Sequence, residues 1–305
     1  MRGLSQVGVF MDRREFLKWC AVMAAGYTLF GCRDAASVGT LGKKIPSIAD
    51  FEAEVRRAVA QGSKAFELVL VPMPGKNSLN DNRFGMAIDL DVCDACGKCI
   101  RACNMENNVP LVTEEEAAKN RFMHWIRMCG GIPLMCAHCG NAPCEKVCPT
   151  GAANHTPDGL SAMMYKRCAG SRFCGANCPL HARKFNYNDA ESLGLLRKFN
   201  DEVPVRGKGV MEKCSLCIQR LQNDRLRFKT EVAAEAVVAG KPPAEWRGRG
   251  VKTACAEACP KNAIVFGNWL DDNSELVRAA KGRGLYAPAV VAGLDPSVVY
   301  MRGRR

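Results

Sequence analysis

The sequence predicts an α+β protein of two pseudo-symmetric lobes, built from short strands, cysteine-rich loops and short helices. Three observations predict it. Eighteen cysteines in 305 residues stand in regularly spaced groups. Cys-Pro pairs at 148, 178 and 259 each precede a strand or turn signal, most plainly Ala263-Ile264-Val265-Phe266. Two strand-like runs, Gly85-Met86-Ala87-Ile88-Asp89-Leu90 and Leu160-Ser161-Ala162-Met163-Met164-Tyr165, lead after two residues into Cys93 and Cys168. A unit of strand, cysteine loop, helix, Cys-Pro and strand therefore recurs, about four times along the chain.

Ahead of the cysteines, Ser47 caps a predicted helix with Ile48, Phe51, Val55 and Val59 on one face and Gly62 as its stop. Phe66 to Val71 reads as a strand ended by Pro72 and Pro74. A polar stretch from Asp189 to Gly209 separates the cysteine region 93–178 from a second one, 214–259. Between Cys217 and Cys255, the spacing of Leu221, Leu226, Val232 and Ala236 predicts a long helix closed by Gly240 and Pro242-Pro243. The expected division is an export signal (1–32), an N-terminal docking segment (33–84), one lobe from 85–128 with 205–270, a second from 129–204, and a cysteine-free tail (271–305).

With 24% charged and 48% apolar residues, the chain is neither a disordered polymer nor a polytopic membrane protein. Its cysteines are too sparse for a small disulfide-stapled scaffold. Only 7% of residues are aromatic, so the core needs support that side chains do not supply. The net charge of +12 counts every cysteine as neutral. A nucleic-acid or anionic membrane surface is the usual reading of such an excess. Metal-bound thiolates are a third: a cubane on four thiolates carries about −2, so four would offset about −8.

Arg13-Arg14-Glu15-Phe16-Leu17-Lys18, preceded by Asp12, reads as a twin-arginine export signal with Trp19 to Phe30 as its apolar core. Met11 stands just ahead of the motif as an alternative start. That export route carries folded, cofactor-loaded proteins, which places the mature chain at the periplasmic face of the inner membrane. Leu29-Phe30-Gly31-Cys32 resembles a lipoprotein box with Cys32 as a candidate lipid anchor, although Phe30 departs from the usual small residue. No other stretch approaches 18 apolar residues, so peripheral membrane association is expected.

The cysteines form four groups: Cys93-x2-Cys96-x2-Cys99-x3-Cys103, Cys136-x2-Cys139-x4-Cys144-x3-Cys148-Pro149, Cys168-x2-Ser171-x2-Cys174-x3-Cys178-Pro179, and Cys214-x2-Cys217 with Cys255-x3-Cys259-Pro260. Runs of this kind ligate cubane iron–sulfur clusters, three cysteines to one cluster and the fourth to a neighbour. Two-residue gaps wrap successive thiolates around one small object, and the x3 step enters a helix that turns the last thiolate away. Setting aside Cys20, Cys32 and Cys129 leaves fifteen cysteines for four clusters, with Ser171 in the sixteenth position.

Over residues 85 to 275 the chain resembles the four-cluster, ferredoxin-like iron–sulfur subunits of membrane quinone oxidoreductases. The runs that carry the likeness are Met135-Cys136-Ala137-His138-Cys139-Gly140-Asn141-Ala142-Pro143-Cys144, Cys148-Pro149-Thr150-Gly151-Ala152 and Glu212-Lys213-Cys214. The serine in the third group, with His124-Trp125-Ile126-Arg127, is similar to the periplasmic menaquinone reductase complex and alternative complex III. The resemblance implies which cysteines cooperate: Cys93, Cys96, Cys99 and Cys259; Cys103, Cys214, Cys217 and Cys255; Cys136, Cys139, Cys144 and Cys178; and Cys148, Cys168 and Cys174 with Ser171. It also implies a polytopic quinone-binding membrane subunit as partner, with a molybdopterin-like subunit or a multihaem cytochrome c, and the last cluster nearest the membrane.

Three [4Fe–4S] clusters and one [3Fe–4S] cluster are the expected complement, the alternative being a fourth [4Fe–4S] with serine oxygen or water on one iron. His138, inside a cysteine loop, is the histidine expected to tune a potential; His124, His155 and His181 fit no zinc or haem spacing. Cys129 fits no group and reads as a buried thiol. Arg167, Arg172, Arg183 and Lys184 crowd the third group, either as a solvated face or as compensation for cluster charge. Gly39-Thr40-Leu41-Gly42-Lys43-Lys44 lacks the first glycine and the Ser or Thr of a phosphate loop, and no dinucleotide fingerprint or nucleophile elbow occurs. The function expected is electron relay, with menaquinone reduction as the direction. Quinol oxidation, or service to a polysulfide-, tetrathionate- or nitrite-type reductase, is the alternative. A structural zinc or disulfide scaffold is the non-redox alternative, and the export signal argues against nucleic acid.

Overall fold

Phe84 to Asp89 alternates nothing: it is apolar toward both faces, and a strand of that kind belongs in the middle of a sheet. In a computed structural model of the chain, all six of these residues are buried. The structure describes residues 67–112, 114–119, 121–187, 199–240 and 245–303, together with Ala53. The expected export signal, Cys20, Cys32 and the body of the helix expected over 48–61 lie outside the described residues.

Strands β1 (Leu68–Leu70) and β2 (Phe84–Asp89) precede the first cysteine. Three two-stranded ribbons accompany the cysteine loops: β3 (Arg127–Cys129) with β4 (Ile132–Leu134), β5 (Ala153–His155) with β6 (Ser161–Met163), and β7 (Lys184–Phe185) with β8 (Met211–Glu212). After the last cysteine come β9 (Ile264–Asn268), β10 (Gly284–Pro288) and β11 (Val298–Arg302). The helices are α1 (Lys98–Glu106), α2 (Glu114–Ala118), α3 (Pro143–Lys146), α4 (Phe173–Ala176), α5 (Ile218–Arg227), α6 (Ala233–Val238), α7 (Ala254–Glu257), α8 (Glu275–Ala280) and α9 (Ala289–Ala292). The chain is α+β, and the strands expected before Cys93, before Cys168 and after Cys259 are present as β2, β6 and β9.

The main sheet has the order β1-β10-β11-β2-β9, parallel only between β2 and β11. Here the structure departs from the tail expected over 271–305. That segment supplies α8, β10, α9 and β11, and β11 lies directly against β2. The reason is plain in its composition: Val298, Val299, Tyr300 and Met301 are all buried, and such a run is not left in water. The helical pattern after Cys217 also differs in detail. A π-type turn over Phe228–Val232 breaks it between α5 and α6 and shifts the apolar face. Leu221 is buried, whereas Leu226 and Val232 are exposed.

One buried cation ties the sheet to the second cysteine loop. Arg83 is wholly buried; its Nε donates to Ser297 Oγ at 3.0 Å and its Nη2 to Asp295 Oδ1 at 2.9 Å. The 294–297 turn so fixed then grips the loop of Cys136 and Cys139. Gly140 N donates to Asp295 O at 2.7 Å, and Ser297 N to Ala137 O at 2.8 Å.

Gly85 shows how close the packing beside β2 is. A Cβ there would lie 2.2 Å from both Ser297 O and Trp269 Nε1, between which a 2.9 Å hydrogen bond already runs. Gly85→Ala is expected to destabilise the loaded protein by about 3 kcal/mol, as overpacking against backbone does. The denaturant midpoint measured by circular dichroism checks this, and an unshifted midpoint would show that the sheet yields more easily than its contacts indicate.

Candidate metal centres

The four cysteine loops share a backbone conformation that their side chains conceal. The residue two places after each leading cysteine is left-handed: Ala95 (φ 56°), His138 (φ 45°), Gly170 (φ 69°) and Leu216 (φ 54°). Three places after each Cys-Pro cysteine the same occurs at Gly151 (φ 63°), His181 (φ 47°) and Asn262 (φ 48°). For a residue with a Cβ this conformation costs about 1–2 kcal/mol. It recurs because it curls the backbone into a concave nest of N–H groups around an anion. The Cys-Pro cysteines confirm the direction of those groups: Ala153 N, Ala182 N and Ala263 N donate to Cys148, Cys178 and Cys259 Sγ at 3.4, 3.4 and 3.3 Å.

Helices then set the x3-spaced cysteines in pairs. α1 carries Cys99 and Cys103 and packs against α7, which carries Cys255 just ahead of Cys259. α3, with Cys144 ahead of Cys148, packs against α4, with Cys174 ahead of Cys178. The two helix pairs are equivalent in design.

The electrostatic neighbourhood of the thiols falls into four sets. Burial pushes Cys99 up to about 12, with Cys93, Cys96 and Cys259 adding to the effect. Cys103 is raised by burial and then by Cys214, Cys255 and Cys217. Cys139 is raised by burial and then by Cys136, Cys144 and Cys178. Cys174 is raised by burial, while Cys148 and Cys168 add to the rise and Arg183 opposes it. All sixteen described cysteines are free of disulfides. No group of three or more His, Cys, Asp or Glu among the described residues closes on a single ion. The thiols of each set are therefore close enough to raise one another's pKa.

Buried cations test whether an anionic cluster fits. Lys213 is 1% exposed, and its Nζ donates only to the carbonyls of Ser161 (2.5 Å) and Cys214 (2.9 Å) among the described residues. Arg183 is buried, with Nη2 on Cys144 Sγ at 3.0 Å. Neither has a carboxylate partner among the described residues, and a buried charge without a counter-charge is costly. Thiolate-bound clusters would supply the missing negative charge, so the residues fit the group.

The other residues singled out in the sequence separate cleanly. His138 is fully buried, and its Nε2 donates to Cys214 O at 3.0 Å, which assigns the ring proton to that nitrogen. Burial, then Lys213, keeps the ring neutral by pushing its pKa well down. His124 contacts Asn104 Nδ2 through Nδ1 at 2.8 Å, His155 contacts Glu145, and His181 is exposed. Arg167 and Arg172 lie on the solvated face, Arg172 donating to Tyr187 OH at 3.2 Å. Lys184 is pushed down to about 8 by burial and by Arg127. Ser171 is exposed in its loop between Cys168 and Cys174. Cys129 is buried in β3 and appears in none of the four sets. Asp295 and Ser297 as supports of a cysteine loop, and Lys213 as a buried cation, are not legible in the sequence, because only tertiary contacts distant along the chain give them these roles.

Fold and loops together define an electron-transfer protein of the iron–sulfur class. No protein-family model matches the chain. Over 237 residues it is 32% identical to the menaquinone reductase iron–sulfur cluster-binding subunit of Nitratidesulfovibrio vulgaris, covering 73% of this chain and 89% of that one. Over 251 residues it is 33% identical to iron–sulfur subunit 1 of the Hdr-like menaquinol oxidoreductase of Archaeoglobus fulgidus, covering 72% and 83%. The arsenate respiratory reductase iron–sulfur subunit of a Shewanella species is 30% identical over 264 residues, covering 72% and 96%. The chain belongs to this family of iron–sulfur electron-transfer subunits of quinone-linked and related oxidoreductases.

Cys129 and Cys144 give a paired test of the grouping. Cys129→Ala is expected to cost about 1 kcal/mol, as the loss of one buried heavy atom does, and to leave iron and sulfide content unchanged. Cys144→Ala is expected to lower both. Iron and acid-labile sulfide assays read the difference; equal content in the two variants would reject the set built on Cys136, Cys139, Cys144 and Cys178.

Proposed function

We propose that the chain relays electrons between a periplasmic redox partner, a multihaem cytochrome c or molybdopterin-like subunit, and a polytopic quinone-site subunit, in the direction of menaquinone reduction. The observation that carries this reading is the series arrangement of the four thiol sets. α1 holds Cys99 of the first set and Cys103 of the second, and α7 holds Cys255 of the second just ahead of Cys259 of the first. α3 holds Cys144 of the third set just ahead of Cys148 of the last, and α4 holds Cys174 of the last just ahead of Cys178 of the third. Between the second and third sets the link is His138 Nε2 on Cys214 O at 3.0 Å. Iron and sulfide held by these cysteines would supply the one-electron chemistry. The protein fixes their order, excludes water from the inner sets and places buried cations beside them.

The helix pairs support two double-cluster, ferredoxin-like lobes, 85–128 with 205–270 and 129–204. Residues 33–84 and 271–305 would then flank them as docking surfaces, the latter through the faces of α8 and α9 rather than as a free arm. The fifteen ligands proposed are Cys93, Cys96, Cys99, Cys103, Cys136, Cys139, Cys144, Cys148, Cys168, Cys174, Cys178, Cys214, Cys217, Cys255 and Cys259. They hold three [4Fe–4S] clusters and, in the set with Ser171, a [3Fe–4S] cluster. The exposure of Ser171 supports the three-iron form over a fourth [4Fe–4S], because an iron without its thiolate there is open to water. No helix among the described residues is long and apolar enough to cross a membrane. With the twin-arginine motif at 13–18, this supports a peripheral position on the periplasmic face of the inner membrane, with Cys32 as the candidate lipid anchor.

Anaerobically purified protein is expected to be brown and to show, when oxidised, an axial EPR signal near g of about 2.01. Ser171→Cys is expected to abolish that signal and raise the iron content. Oxidised protein that is rich in iron but silent in that region would reject the three-iron assignment. Pale, iron-free, stably folded protein would reject the relay itself.

A further inference from the structure

Arg183 stands where the two sets of the second helix pair meet. Its Nη2 donates to Cys144 Sγ at 3.0 Å, its Nη1 contacts Met163 Sδ at 2.9 Å, and its positive charge also acts on Cys174, opposing the rise that burial causes in that thiol. Cys144 belongs to the third thiol set and Cys174 to the last, and both pack in one small buried cluster with Met211. Every hydrogen-bond partner of Arg183 among the described residues is a sulfur atom, and its Nε has none. The side chain is 6% exposed, so water screens it little. A planar fork with a permanent charge can reach two ligands at once, which a single ammonium cannot. The remaining charges named around the third cysteine group do not share this position: Arg167 and Arg172 are exposed, and Lys184 lies against Arg127, Cys129 and Cys178, beside one set only.

We propose that Arg183 is a shared positive pole for two neighbouring redox centres, holding the reduction potentials of the third and last sets up together. The proposal rests on the reading of the cysteines as cluster ligands and goes beyond it by assigning one residue to two centres. Each one-electron reduction adds a negative charge to a centre beside this guanidinium, which donates to Cys144 of one and acts through its charge on Cys174 of the other. Coulomb attraction at low dielectric therefore favours the reduced state of both. It follows that the two centres nearest the open Ser171 corner are tuned as a pair, so that removing the cation lowers both potentials without changing their order.

Three proteins and one labelling test this: wild type, Arg183→Gln and Arg183→Lys, each assayed for iron and sulfide and titrated by EPR-monitored potentiometry. Arg183→Gln is expected to lower the reduction equilibrium of both centres by about tenfold, which is about 59 mV for a one-electron couple. Arg183→Lys, which keeps the charge, is expected to shift them less than threefold. The centres of the first helix pair stay unchanged in both variants. A fully loaded Arg183→Gln protein with unmoved potentials, or with only one centre moved, overturns the proposal. If that variant fails to load, wild type grown on guanidino-15N-arginine decides the matter. A 15N hyperfine coupling on the signals of both centres supports the shared pole, and its absence from either overturns it. Wild type without iron would overturn the cluster reading instead.

Discussion

The constraint from which the rest of this structure follows is the burial of unbalanced charge. Thiols in the inner sets are driven up by burial and by one another, Cys99 to about 12 and Cys255 to about 12. Thiols in that condition are poor thiolates until a metal deprotonates them. Beside them lie Lys213 and Arg183, buried with carbonyl or sulfur partners only. Each half of this arrangement is unfavourable alone. Together, with iron and sulfide between them, positive side chains and anionic clusters neutralise each other in a small interior. This also accounts for the composition: a chain with 7% aromatic residues and a net charge of +12 is short of core and long on cations until its clusters are in place.

The loops that hold the thiols are not self-supporting, and the main sheet shows what braces them. Arg83 fixes the 294–297 turn, and that turn grips Ala137 and Gly140 in the loop of Cys136 and Cys139. Elsewhere Glu212, wholly buried, pairs with Arg206 at 3.0 Å while Arg206 stacks over Trp125 and Tyr165. That contact fastens the entry to Cys214 onto the other half of the chain. Burial of such a pair adds little net stability, but removing one partner strands a charge. Its effect here is to fix geometry, holding a cysteine loop at a set distance from its neighbour.

Much of this was legible in the sequence, for reasons that can be stated residue by residue. Cysteine spacing is legible because a cluster of fixed size demands it, and the strands before Cys93 and after Cys259 are legible because both are apolar runs beside turn residues. The left-handed positions were hidden, because three of the four are Ala95, His138 and Leu216 rather than glycine. Tertiary context holds them there against their preference. The C-terminal segment holds no cysteine, so the spacing that makes the cysteine loops legible says nothing of the sheet it completes. Its valines and tyrosine carry that signal instead. The arginines around the third group looked alike in sequence, and only burial distinguishes Arg183 from Arg167 and Arg172.

The order of the sets also explains why one link differs in kind from the others. Within each helix pair, an x3 step, inside α1 or from α3, α4 and α7 to the Cys-Pro cysteine just past each, carries the chain from one set to the next, so their separation is limited by a short covalent path. No such step joins the second and third sets. There the chain relies on a hydrogen bond from His138 to the carbonyl of Cys214, reinforced by Lys213 on the same carbonyl. The histidine is held neutral by burial, so its donation does not vary with a proton of its own. A junction made of non-covalent contacts can keep a constant length only if every group in it is buried and singly configured, and that is the state in which both His138 and Lys213 are found.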